Sequence, residues 1–145
     1  MEKRINIQKL EPKAYKAMFA LEKYLSGSEV SKKILDLIKI RASQINGCAY
    51  CLDMHASEAL DRGEAQKRIF ALSAWRESPL FSAEEKVVLQ MTEEISLIAV
   101  DGLSSLTYKS AKKYFTDNEI AQLIMQIGTI NMWNRIAVST HLVQD

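Results

Sequence analysis

The sequence predicts an all-α protein, a single-domain bundle of six or seven helices, and three observations lead there. Its 145 residues include only five Gly and two Pro, too few breakers for the many turns of a strand-rich fold. Between those breakers, apolar residues recur at three- and four-residue spacing. Hydrophobic residues make up 48% of the chain, enough at this length for one sizeable core. No repeat, low-complexity tract or linker divides residues 1–145.

Residues 1–11 read as extended or irregular. Pro12 suits a first helical position, and Ala14, Tyr15, Met18, Phe19, Leu21 and Leu25 continue a stripe until Ser26-Gly27-Ser28 ends it. A second helix begins near Val30 and carries Ile34, Leu35, Leu37, Ile38 and Ile40 around a broad face, so much of its girth should be buried. Asp36 stands inside that apolar run, on its thin hydrophilic side. The Asn46-Gly47 turn precedes a third helix from about Gly47 to Arg62, with Gly63 as its C-terminal cap. Glu64 to Trp75 reads as a short fourth helix, broken by Glu77-Ser78-Pro79.

Ser82-Ala83-Glu84-Glu85 is a capping-box start for a helix that uses Val87, Val88, Met91, Ile95 and Ile98. Asp101-Gly102 turns the chain, and Thr107 to Phe115 makes a shorter helix. Asp117 can cap a last long helix, whose residues Leu123 to Val138 are apolar on most of its circumference. Such a helix is either central to the core or part of a subunit interface. Asn131, Asn134 and Arg135 interrupt that surface and need partners on other helices or subunits. Trp75 and Trp133 read as packing residues, and His141 as exposed.

Composition excludes some functions. A formal net charge of +1 gives no electrostatic case for nucleic acid. The N-terminal residues lack the apolar core of a signal peptide, and no apolar run approaches the ~18 residues that span a bilayer. The expectation is a soluble, cytoplasmic protein with no membrane partner.

The chemistry gathers in Ile45-Asn46-Gly47-Cys48-Ala49-Tyr50-Cys51-Leu52-Asp53-Met54-His55, which holds both cysteines and one of the two histidines. A helix starting at or just before Cys48 puts Cys48, Cys51 and His55 on one face, and its N-terminus favours a thiolate. This reads as a redox dithiol with a base beside it. Other readings stay open: two buried free cysteines, or a zinc site completed by a carboxylate or His141. A structural disulfide would close too short a loop to stabilise much, whereas a reducing cytosol favours a catalytic pair. The helix dipole argues for Cys48 as nucleophile, and proximity to His55 argues for Cys51.

The run Ile40 to Cys51 with Asp53-Met54-His55, then Trp75-Arg76-Glu77-Ser78-Pro79 and Ile130 to Arg135, strongly resembles AhpD-like alkylhydroperoxidases of the carboxymuconolactone decarboxylase superfamily. The resemblance covers most of the chain. It implies an all-helical subunit in trimers or hexamers that reduces a hydroperoxide to alcohol and water. By motif position Cys51 would attack the peroxide, Cys48 would resolve the sulfenic acid, and His55 with Asp36 would relay the proton. The reductant would be an external dithiol, in the family a lipoyl group on a partner protein, with no metal, flavin or haem cofactor. Two positions depart from the pattern: Asp36 replaces Glu, and Tyr50 stands where the namesake peroxidase has His. For Asp36 to reach His55, its helix has to stop near Ala42 and the chain double back, because nine helical residues rise roughly 14 Å. A disulfide reductase, a redox-sensing module and a non-redox decarboxylase-like protein are the competing functions.

Overall fold

A computed structural model describes residues 2–143. Among them the chain forms eight α-helices and one 3-10 turn: α1 (Ile7–Leu10), α2 (Pro12–Ser26), α3 (Lys32–Ile45), α4 (Ala49–Asp61), α5 (Gln66–Ala71), the 3-10 turn Leu72–Ala74, α6 (Ala83–Ser96), α7 (Ser105–Ala111) and α8 (Asp117–Thr140). The all-α class holds, with a helix count slightly above expectation.

Local chemistry sets most of the boundaries. Ser31, Ser82, Ser104 and Thr116 each accept a backbone N–H from the first turn of the helix they precede, relieving donors that have no partner inside the helix. Ser82 with Glu85 and Thr116 with Glu119 complete reciprocal capping boxes. Thr116, rather than Asp117, is thus the cap of α8. Gly63, with φ +94°, follows the C-cap of α4 in the left-handed region, where a side chain would be strained.

α3 is the central element and packs against α4, α6 and α8. One side, through Ile34, Ile38 and Ala42, meets Val88 and Met91 of α6 and Leu123, Ile127 and Ile130 of α8. The other, through Leu37 and Ile40, meets Ala59 of α4, Leu72, Trp75, Phe81 and Leu89. Leu37, Ile38 and Ile40 have no solvent exposure, so truncating any of them to Ala should cost about 2–5 kcal/mol.

Three further expectations change. Residues 7–10 form a short helix capped by Asn6. Glu64 to Trp75 is not one helix, because the chain tightens after Ala71 into a 3-10 turn. Residues three apart eclipse in that geometry, and Leu72 and Trp75 are both buried in the same core. Most consequential for the site, α3 does not stop near Ala42 but continues to Ile45.

Candidate functional site

The α3–α4 connection is a tight helical hairpin. Cys48 N–H donates to Ser43 O at 3.0 Å and Gly47 N–H to Gln44 O at 3.3 Å, the paired bonds of a Schellman ending. Gly47 supplies the left-handed residue this needs, with φ +62°. Cys48 is then extended and is itself the N-cap of α4, its sulfur accepting Cys51 N–H at 3.3 Å. The resolved turn of one helix thus hands directly to the cap of the next.

Buried amides hold that turn against α8. Asn46 Nδ2 donates to Asn131 Oδ1 and Asn134 Oδ1, both at 2.9 Å. Asn134 Nδ2 donates to Ser43 Oγ at 3.1 Å, and Asn131 Nδ2 to Ser96 Oγ at 2.9 Å. Arg135 Nη1 donates to Asn131 Oδ1 at 3.0 Å. Asn131 and Asn134 therefore find partners within one subunit, on α3, α6 and the hairpin turn, whereas Arg135 bonds only to Asn131 of its own helix.

Cys48 and Cys51 are joined in a disulfide with Cα atoms 5.3 Å apart. Both are buried and pack with Ala137 of α8 and Tyr50. Only Cys51 reaches the wall of a cavity of about 640 Å³. His55, one turn further along α4, lines the same cavity, with Tyr15, Phe19, Trp133 and Tyr50 as its aromatic surfaces. Tyr15 meets the Trp133 ring edge-on at 5.3 Å. Trp133 both packs and faces the cavity, its indole N–H donating to Glu22 Oε1 at 3.1 Å. The N-terminal segment closes the cavity's edge. Arg4 Nη1 donates to Ser139 O at 3.0 Å, and His141 Nδ1 to Glu2 O at 2.8 Å. His141 is thus half-buried on the cavity wall rather than exposed.

His55 is buried, and its Nδ1 lies 3.1 Å from Glu58 Oε2. Burial pushes its pKa below the usual histidine value, against the opposing pull of the Glu58 hydrogen bond. The ring is therefore neutral at pH 7, with one nitrogen free to accept a proton.

Asp36 does not join this group. Its buried carboxylate accepts Arg62 Nε at 2.9 Å and Nη2 at 2.6 Å, and it lines a second cavity instead. The reason is helical register. With α3 intact to Ile45, α4 runs back alongside it, and the residue level with Asp36 is Arg62, not His55. Glu58 and Lys39 on the wall of the first cavity and Arg62 beside Asp36 are site residues that were not expected. The signal for two of them was available: Glu58 is three residues past His55, and Arg62 four past Glu58, the spacings that meet on one helix face.

No group of three or more His, Cys, Asp and Glu side chains suited to a metal occurs among the described residues. No helix of the described residues is long and apolar enough to cross a membrane.

Residues 12–94 match the family model described as the carboxymuconolactone decarboxylase family. The uncharacterised protein YdfG of Bacillus subtilis is 37% identical over 139 residues, covering 96% of this chain and 95% of that one. A crystal structure of a protein of unknown function from Agrobacterium tumefaciens, provisionally assigned to the antioxidant defence protein AhpD, superposes with a TM-score of 0.96 at 39% identity, over 99% of each chain. The debrominase Bmp8 shares the fold, with a TM-score of 0.85 at 16% identity, over 95% of this chain and 74% of that one.

Proposed function

The chain belongs to the AhpD-like carboxymuconolactone decarboxylase family, and from that premise we propose that it is a thiol-dependent peroxidase for organic hydroperoxides. One observation carries the reading: of the two bonded cysteines, Cys51 alone lines the cavity, and His55 lines it too.

In the reduced enzyme, neutral His55 takes the Cys51 thiol proton. The thiolate attacks the outer peroxide oxygen, forming an S–O bond as the O–O bond breaks. The alkoxide leaves with the proton from His55, so Cys51 becomes a sulfenic acid and the peroxide an alcohol. Cys48 then attacks the Cys51 sulfur, releasing water and forming the disulfide. An external dithiol, with a lipoyl group on a partner protein as the first candidate, returns two electrons and two protons. Its thiolate attacks the accessible Cys51 sulfur, and Cys48 departs. As the helix N-cap beside the Cys51 N–H, Cys48 is the better stabilised leaving thiolate. The helix dipole thereby serves Cys48 as leaving group, and the nearby base serves Cys51 as nucleophile.

The subunits should assemble as a trimer or hexamer through the outer face of α8. Ile124, Met125, Met132 and Val138 are exposed there, a face too apolar for a lone subunit. The expected location is the cytoplasm, where a reductant is at hand.

The test is direct. Reduced protein given one equivalent of cumene hydroperoxide should lose two hydrogens by mass, and Cys48→Ser should trap Cys51 as a sulfenic acid. Two thiols that survive prolonged exposure would sink the peroxidase reading and leave a disulfide reductase or redox sensor, since the disulfide serves either.

A further inference from the structure

A neutral imidazole serves as base for Cys51 only if its proton sits on the nitrogen away from the reacting thiol. We propose that Glu58 is the positioning residue that fixes this tautomer of His55, and that Asp36 acts on the site only through Arg62 and Glu58. The proposal rests on the peroxidase reading for its kinetic consequence, but not for its structural one.

Glu58 Oε2 lies 3.1 Å from His55 Nδ1. A carboxylate only accepts, so this contact requires the proton on Nδ1 and leaves Nε2 bare. The other carboxylate acting on His55 is Glu22 of α2, and it is already engaged. Glu22 pairs with Lys39 of α3 at 3.6 Å and accepts the Trp133 indole. Glu58 is the carboxylate in hydrogen-bond contact.

Glu58 alone would hold the ring loosely, because its side chain is 43% exposed and free to leave for water. The same Oε2 lies 3.7 Å from Arg62 Nη2. An exposed pair of this kind is weak by itself, but Arg62 is not free either. Asp36, whose side chain is 9% exposed, grips it with two bonds, the geometry that best fixes a guanidinium. Order therefore passes from the buried Asp36 to Arg62, then to Glu58, then to the imidazole. The Asp36 position keeps an influence on the site without touching it.

The experiment reads the tautomer directly, by two-dimensional 15N–1H NMR of the histidine rings in the reduced full-length protein. His55 should be protonated on Nδ1 in the parent and in Glu58→Gln, whose amide oxygen still accepts. In Glu58→Ala the Nε2-protonated form should become the major one. The peroxide rate should fall at least about tenfold in Glu58→Ala and about two- to fivefold in Asp36→Asn, less than the roughly 100- to 10,000-fold of a general base itself, because both act through His55. In the Glu58→Ala background, Asp36→Asn should slow the reaction no further. Retention of Nδ1 protonation in Glu58→Ala would overturn the proposal. So would an Asp36→Asn effect of equal size with and without Glu58. Should the peroxidase reading itself be wrong, the parent would not react with peroxide, while the tautomer would still answer to Glu58.

Discussion

α4 contributes to two cavities of nearly equal size, about 640 Å³ and 620 Å³. The first takes Tyr50, Cys51, Met54, His55 and Glu58 from it, and the second takes Ala59 together with Arg62 and Gly63 just past its end. In the second, charges are spent on one another. Asp36 holds Arg62, Glu64 holds Arg68 at 2.8 Å, and Lys33 reaches Glu85 at 3.6 Å. In the first, the disulfide, a neutral imidazole and four aromatic rings face open space. Volume does not separate these two places, nor does pairing alone, since Glu22 and Lys39 pair on the first wall too; what separates them is that the first also presents a sulfur and a neutral imidazole able to react. A charge locked into a bidentate pair stiffens the fold, whereas a neutral, buried base on a cavity wall can still move a proton.

The largest effect that would sharpen this contrast is on chemistry alone. Cys51→Ser should abolish peroxide consumption while leaving the fold intact, since serine is close to isosteric with cysteine. Arg68→Met should do the reverse. Arg68 Nη2 pairs with Glu85 at 2.7 Å, and its guanidinium stacks on Phe81 at 4.8 Å. Removing it takes the guanidinium from two acids with side chains 7% and 9% exposed and leaves Glu85 only Lys33 as a cation, at 3.6 Å, at a cost of about 3–5 kcal/mol. Denaturant unfolding should show the loss, with the initial rate of the folded fraction little changed. A peroxide defect as large as that of Cys51→Ser would erase the distinction between the two cavities.

A middle-sized effect concerns the aromatic wall. Trp133 contacts Tyr15 and Phe19, the second at 5.4 Å between ring centres. Trp133→Ala should raise KM for cumene hydroperoxide about tenfold, a typical loss for a large apolar contact of roughly 1–3 kcal/mol. The rate with hydrogen peroxide, which cannot span the cavity, should change far less. Equal losses for both substrates would mean that Trp133 only supports the fold.

How much of this could be read beforehand depends on the range of the interaction. The cap Ser82, the Asn46-Gly47 turn and the Cys51–His55 spacing are all decided within about one helical turn, where spacing is geometry; adjacent candidates are harder to separate, since Thr116 rather than Asp117 caps α8 and Cys48 is the cap of α4 rather than part of its face. Asp36 failed for want of one non-local fact, the length of α3. Three more residues of helix move its partner from His55 to Arg62. The cavity's closure was similarly hidden. Arg4 meets Ser139 across 135 residues, and no local pattern announces such a contact. Trp133 shows a milder case, since a packing residue and a cavity wall have the same sequence signature.

The smallest expected effect is on stability, and it tests the neutrality of His55. Burial lowers the folded-state pKa of this ring below the ordinary value of 6.5, while the unfolded chain keeps that value. Above 6.5 both states hold the ring neutral, and its contribution to folding is fully present. As pH falls through 6.5 the unfolded state takes up a proton that the folded state refuses. Stability then drops by at most about 1.4 kcal/mol per pH unit until the folded ring also titrates. Glu85, Glu93 and Glu94 are held below their usual 4.5, so their own losses begin at lower pH and leave this window separate. In the disulfide form, the stability difference between the parent and His55→Asn should therefore shift in the variant's favour between pH 7 and 5. If denaturant titrations of the two run parallel across that range, His55 is not held neutral. A cavity wall with a charged imidazole would then resemble the paired, spent charges of the second cavity.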